Sequence, residues 1–235
     1  MEVVSGRAMR RRGIERVNLL LDATEKLLEL HTDEDISLAQ IAEAAEVPLP
    51  SVYHFFPNRN AAFEALALRF NEEIYRNSIE PFAEPLPETW QELLARKHAR
   101  AAAFQNSRPA ALRLFLGAGV SVAIRAADFS GNARIARSRA RLFAAYFHMP
   151  YIENFPFKLE TAASANEGIW SLSYGRHGYI SEELRREGTA MAVSYLRRFL
   201  PEVLIPKVPT QEELAALEVA AEPAILPEKA PPPAA

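Results

Sequence analysis

The 235-residue sequence contains no cysteine, which excludes disulfide bonds, thiol catalysis and zinc–thiolate sites. Its longest apolar run, Leu114 to Ile124, is too short to span a bilayer and is flanked by Arg113 and Arg125. The first residues hold no apolar stretch typical of a secretory signal. The lack of cysteine is compatible with a reducing compartment, and the other two absences speak against a membrane or secreted protein. We therefore expect a cytoplasmic protein that has no membrane partner.

Motifs for metal binding and catalysis are also missing. None of the five histidines follows Glu or Asp by three or four residues, which excludes the Glu-x-x-His pairs of di-iron sites and the zinc motif His-Glu-x-x-His. Gly-x-Ser-x-Gly is absent too. The short run Gly117-Ala118-Gly119 lacks the third glycine and the preceding strand of a dinucleotide-binding loop. We therefore expect no enzyme, no catalytic residue, no metal and no cofactor.

Charge of either sign is nearly balanced, with a net charge of −3. The overall charge thus argues neither for nor against a nucleic-acid partner. One local cluster, Arg7, Arg10, Arg11 and Arg12, precedes the first clear helical pattern. The cluster fits a solvated arm and a phosphate-binding or minor-groove arm equally well.

Helical periodicity runs through most of the chain, and no segment alternates as strands do. Ile14, Val17, Leu21 and Leu28 form the first apolar stripe. The Pro-rich stretch 81–87 marks the best domain boundary. Later breaks are expected at a turn over Asp128 to Gly131, at Gly175 and Gly178, and in the Pro/Ala-rich stretch after Lys207. The fold is predicted to be all-α.

The stretch from Ser37 to Arg59 has the pattern of a helix-turn-helix. Ser37-Leu38-Ala39-Gln40 is a capping-box signature that opens one short helix, and a second short helix follows over about 50–56. In this second helix the spacing of Val52, Phe55 and Phe56 predicts an inward face. Ser51, Tyr53 and His54 then face outward, where they can meet phosphate oxygens and base edges. Arg59 begins the next helix, at an end that favours anions.

These residues resemble the DNA-binding module of the tetracycline-repressor (TetR) family over about Gly13 to Leu68. The matching stretches are Ile36-Ser37-Leu38-Ala39-Gln40-Ile41-Ala42-Glu43-Ala44-Ala45-Glu46-Val47 and Ser51-Val52-Tyr53-His54-Phe55-Phe56-Pro57-Asn58-Arg59. The resemblance implies a dimeric, ligand-responsive transcriptional regulator, usually a repressor. The DNA-binding residues that we assign are Ser37, Leu49, Pro50, Ser51, Tyr53, His54 and Arg59.

Three positions depart from the family pattern. Glu46 stands where the turn usually holds Gly, and Pro48 stands where a Ser or Thr cap is usual. Leu49 and Pro50 replace a residue that is often basic and a Gly. Since each proline disfavours α geometry in its predecessor, we expect the reading helix to start a residue late, with Leu49 as a poor cap. Loss of a hydroxyl cap costs about 1 kcal/mol.

The resemblance completes the domain organisation. We predict a basic arm at 1–12, a helix-turn-helix DNA-binding domain with its linking helix at 13–79, a helical effector-binding and dimerisation domain at 80–206, and a flexible tail at 207–235. The whole chain should hold about nine helices, the first three forming the DNA-binding unit.

Two sets of residues in the larger domain are candidates for binding. Aromatic side chains here either pack in the core or line a cavity between helices, the usual place for a ligand site in helical proteins. Polar side chains in apolar surroundings need partners, which are either internal carboxylates such as Glu167 or a bound acidic ligand. The candidate ligand residues are Phe104, Arg113, Arg125, Asn166 and Trp170. Apolar and small residues on the last two long helices permit close helix approach across a two-fold axis. The candidate dimer residues are Ala165, Ile169, Leu172, Val193 and Leu196, which in the alternative interpretation pack inside one subunit.

The leading hypothesis is a repressor that binds a palindromic operator in double-stranded DNA as a homodimer. An unknown small, largely apolar effector releases it. The first alternative is a ligand-binding or scaffold helical dimer with a degenerate DNA-binding head, which Glu46, Pro48 and Leu49 favour. The second is an all-α enzyme, which requires two or more coupled titratable groups at a cavity.

Overall fold

The computed structural model describes residues 2–31, 36–117 and 121–219, which form ten α-helices and no β-strand. The all-α prediction is therefore confirmed over this part of the chain. The helices are α1 (Glu2–Leu30), α2 (Leu38–Ala44), α3 (Leu49–Phe55), α4 (Arg59–Ile79), α5 (Trp90–Asn106), α6 (Pro109–Leu116), α7 (Val122–Tyr146), α8 (Phe155–His177), α9 (Glu182–Leu196) and α10 (Gln211–Val219).

The caps at the N-terminal end form as the sequence predicts. The Ser37 hydroxyl accepts from the Gln40 backbone N–H at 3.3 Å, and the Gln40 side chain accepts from the Ser37 N–H at 2.8 Å. This reciprocal capping box begins α2. At α4, the Asn58 side chain accepts from the Ala61 N–H at 3.0 Å. The starts of α2 and α4 are thus fixed by local hydrogen bonds.

Two hydrophobic cores stabilise the molecule. The first joins α1–α4 to α6 and to parts of α5 and α8, with Leu20, Ile41, Val52, Leu66 and Phe115 among its buried members. The second lies between α5, α7, α8, α9 and α10. Because α6 shares the first core with the helix-turn-helix, the N-terminal unit and the body are packed together directly.

The middle of α7 corrects one prediction. The expected turn at Asp128 to Gly131 does not form, and the helix continues through it. Asp128 is buried and paired with Arg125 at 3.1 Å, so its side chain is not free to cap a turn. Gly131 instead lets α7 approach α4, because a Cβ there would lie 3.1 Å from the Asn71 amide. The same Asn71 donates to the Ala127 carbonyl at 3.0 Å.

Of the two glycines predicted to break the chain after α8, Gly178 ends the helix and Gly175 does not. Gly178 caps the helix with a φ of +76°, a conformation that favours glycine. Gly175 lies inside α8, which ends at His177.

Both predicted termini contain helix. The backbone of residues 2–12 belongs to α1. In the predicted tail, α10 packs against α7, and Leu217 is buried in the second core. Residues 220–235 lie outside the described residues, as do Ala118 and Gly119 of the glycine-containing run.

Candidate nucleic-acid interface and the helical body

The start of α3 differs by one residue from the expectation. Leu49 is the first helical residue, and Pro48 is the N-cap, with no side-chain hydrogen bond to the helix. Leu49 therefore does not act as the cap; it is half-buried and packs against the first core. Pro50 occupies the second helical position and is exposed, where a missing N–H is tolerated.

The two faces of α3 separate as the spacing predicts. Val52 and Phe56 are buried, and Phe55 packs against the same core. On the opposite side the Tyr53 side chain is 56 % exposed. His54 is exposed too, with its ring edge-to-face against Phe55 at 5.2 Å. Because their neighbours are fixed in the core, Tyr53 and His54 project from a rigid support.

The remaining assigned residues border this face. Ser51 is half-buried, and its hydroxyl accepts from Arg16 Nη1 at 3.3 Å. Ser37 is exposed and holds the α2 cap. Arg59 is half-buried at the start of α4, where Nη1 lies 3.5 Å from the Ile36 carbonyl. Sequence reasoning missed Arg16, because its position beside α3 depends on the crossing of α1 rather than on a local motif.

The turn before α3 has an unusual backbone. Glu46 has a φ of +54°, in the left-handed region that glycine tolerates best. Its N–H donates to the Glu43 carbonyl at 3.1 Å, and the next N–H, of Val47, donates to the Ala42 carbonyl at 2.9 Å. These bonds hold the tight turn. A glycine would be favoured at this position because the turn requires a left-handed backbone conformation.

The two charged residues among the five predicted ligand residues contact other parts of the protein. Arg113, on α6, donates to the Leu28 and His31 carbonyls at the end of α1. Arg125 pairs with Asp128 within α7. Both guanidinium groups thus have internal partners. Phe104 is half-buried on α5.

Asn166 and Trp170 lie one turn apart on α8 and are both buried. The Asn166 Oδ1 occupies the space that a Cβ on Gly188 of α9 would need, so a glycine is required for this close packing. Trp170 packs edge-to-face with His98 at 6.1 Å. Within the described residues, Asn166 Oδ1 and Trp170 Nε1 have no hydrogen-bond partner.

His98 is a buried neutral group beside Trp170. Burial, with Arg139 and Arg185 nearby, lowers its pKa to about 3. The Thr189 hydroxyl donates to the Arg185 carbonyl at 3.0 Å and lies 2.9 Å from His98 Nδ1. Since a hydroxyl has one proton, His98 Nδ1 donates to Thr189, and Nε2 carries the lone pair.

Asp128 and Glu167 form a buried carboxyl pair between α7 and α8. Burial raises the pKa of both groups, and the proximity of Asp128 raises that of Glu167 further, to about 8. Glu167 accepts from Asn132 Nδ2 at 2.9 Å, and Asp128 accepts from Arg125. The all-α enzyme alternative requires two or more coupled titratable groups at a cavity, and this pair supplies the coupled groups. Because its partners all come from α7, we interpret it as part of the α7–α8 packing.

The five predicted dimer residues divide between surface and core. Ala165 and Leu172 are exposed on α8, Leu172 by 46 %, and Ile169 between them is half-buried. Val193 and Leu196 of α9 are buried in the second core of the same protomer. Their assignment to a surface is corrected, because the apolar stripe of α9 faces α5 and α8.

The described residues offer neither a metal site nor a membrane span. They contain no group of three or more His, Cys, Asp or Glu side chains placed to hold a metal ion. None of their helices is long and apolar enough to cross a membrane.

No protein-family model and no curated protein matches the sequence, whereas solved structures do match the fold. One is the TetR-family transcriptional regulator from Streptomyces coelicolor, with 22 % identity, a TM-score of 0.59, and coverage of 80 % of this chain and 99 % of that one. Another is a TetR transcriptional regulator from Rhodococcus sp. RHA1, with 16 % identity, a TM-score of 0.58, and coverage of 80 % and 97 %. The protein therefore has the fold of TetR-family transcriptional regulators.

Proposed function

We propose that this protein is a DNA-binding transcriptional regulator, a repressor that leaves its operator when a small, largely apolar effector binds to the body. The observation that carries the proposal is the exposed pair Tyr53 and His54 on a helix-turn-helix whose inner face is fully packed. Neutral hydrogen-bonding side chains on a rigid short helix suit contacts in the major groove. Its place of action would be the cytoplasm.

The proposed release uses the shared first core. Arg108 and Arg113 of the α6 segment bind α1 and α4 directly, so movement of α6 would reorient the N-terminal unit. An effector that binds one arrangement more tightly shifts the population by that difference in affinity. We place its site near Asn166 and Trp170, whose unpaired atoms offer a buried acceptor and donor.

We propose a homodimer as the DNA-binding species, because one helix-turn-helix reads few base pairs and two-fold pairing matches a palindrome. The exposed face of α8 supports this proposal. Ala165, Gly168 and Leu172 follow one another at helical spacing and are all exposed. Small residues there would let a second copy of α8 approach closely.

The rival function is a ligand-binding or scaffold dimer whose head no longer reads DNA. The uncapped start of α3 and the strained Glu46 favour it. A gel-shift titration on the promoter beside the protein's own reading frame separates the two functions. We expect a salt-sensitive complex that prefers this sequence, and loss of the preference in Tyr53→Ala/His54→Ala. A wild-type protein without sequence preference would favour the rival.

A further inference from the structure

The first turn of α3 has few groups that can bind a phosphate. Pro50 has no N–H, and the Ser51 N–H donates to the Pro48 carbonyl at 2.8 Å. The N-cap Pro48 adds no side-chain hydrogen bond. This leaves the Leu49 amide and the Ser51 hydroxyl in the turn. The helix sequence Leu49-Pro50-Ser51-Val52-Tyr53-His54-Phe55 also contains no lysine or arginine.

Arg16 of α1 lies beside this first turn of α3, which has few phosphate-binding groups of its own. Its side chain is exposed, and Nη1 donates to the Ser51 hydroxyl at 3.3 Å. A guanidinium has five N–H donors in a fixed plane, so most of them remain available after one contact with a hydroxyl. Arg16 therefore places a permanent positive charge beside the exposed side of α3.

The local charge balance makes this cation important. Glu43 and Glu46 are exposed in and just after α2, close in sequence to the start of α3. Two carboxylates near a phosphate backbone oppose binding, whereas a guanidinium binds phosphate with charge-assisted, often bidentate hydrogen bonds. Because α3 carries no cation of its own, a cation at this turn comes from another helix, and Arg16 of α1 contacts α3 directly at Ser51.

We propose that Arg16 is a phosphate-binding residue of the DNA interface and supplies the donors that the first turn of α3 lacks. Ser51 positions the guanidinium through its hydroxyl. The inference rests on the proposed function, since it requires a DNA complex. It assigns to α1 a contact that the reading helix cannot make itself.

The test uses the full-length protein and a fluorescent duplex carrying the promoter sequence, with anisotropy measured between 50 and 200 mM salt (about the range over which phosphate contacts show). Arg16→Gln should weaken binding about tenfold at the lowest salt, to a similar degree on unrelated duplexes. It should reduce the slope of log K against log salt by about 1 per protomer. Arg16→Lys should keep most of the slope, because it keeps the charge.

Arg141→Gln is the matched control, since Arg141 is exposed on α7 and the charge change is the same; its slope should equal that of the wild type. If Arg16→Gln folds and binds with the wild-type slope, the role of Arg16 is disproved while DNA binding stands. If the wild-type protein itself shows no salt-sensitive binding, the proposed function fails, and this inference fails with it.

Discussion

Arg108, the N-cap residue of α6, donates from Nη1 to the Glu25 carboxylate of α1 at 3.0 Å. Its Nη2 donates to Glu73 of α4 at 2.9 Å. Glu25 also accepts from Arg69 of α4 at 2.6 Å. One network thus joins the N-terminal unit, the linking helix and the first helix of the body that packs on them, so a movement of α6 is coupled to α1 and α4.

Arg108→Met should destabilise the fold by about 1 kcal/mol in urea unfolding, because it leaves Glu73 without its partner in a partly buried site while water screens part of the effect. The methionine keeps most of the apolar packing of the side chain. Arg76→Met is the control, since Arg76 is 72 % exposed in its pair with Glu72. Equal losses in the two variants would show that the network adds no specific stability.

Glu46→Gly should stabilise the protein by about 1 kcal/mol, because a left-handed φ costs a residue with a Cβ more than glycine loses in the unfolded chain. Glu46→Ala removes the same charge but keeps the Cβ, and we expect no gain from it. Thermal and urea unfolding measure both variants. A gain of the same size in both would assign the effect to charge rather than to backbone conformation.

Glu167 should make stability depend on pH. Its folded pKa, raised by burial to about 8, lies above its ordinary value of 4.5, so the folded state binds more protons between these values. Stability should therefore be highest below about pH 4.5 with respect to this group and fall as pH rises to 8, by up to about 1.4 kcal/mol per pH unit. Glu167→Gln, whose amide can still donate to Asp128, should flatten the curve.

The difference between the wild type and Glu167→Gln isolates the Asp128–Glu167 pair, because the titrations outside this pair are common to both proteins. Urea midpoints at several pH values from 4.5 to 8.5 provide the measurement. Parallel curves would mean that Glu167 is ionised in the folded protein throughout this range.

Substitution of Leu172 should change the oligomeric state, whereas substitution of Leu196 should change the stability of the fold. Leu172→Arg places a charge on the exposed face of α8, and we expect monomers with nearly unchanged stability in sedimentation velocity. Leu196→Ala removes buried side-chain volume from the second core and should cost about 2–5 kcal/mol. A Leu172→Arg protein that sediments like the wild type would exclude this face from the dimer contact.

The sequence predicted the local features and missed those that depend on helix crossings. The capping box at Ser37, the cap at Asn58 and the inward face of α3 follow from spacing over a few residues, and all are present. Arg16 reaches Ser51 over 35 positions, which no local pattern indicates. Asp128, followed by Gly131, has the sequence pattern of a turn. Its burial beside Glu167, which keeps it inside α7, depends on the packing of α7 against α8 and is not visible in the sequence. Likewise, the sequence shows the apolar stripe of α9 that contains Val193 and Leu196, but it does not show which helices this stripe packs against.

Selection from a pool of random DNA duplexes tests the central claim most directly, because it requires no knowledge of the operator. The wild-type protein should enrich one palindromic sequence with half-sites about one helical turn apart, and Tyr53→Ala/His54→Ala should enrich none while remaining folded. A wild-type protein that recovers no sequence above the starting pool would contradict the account.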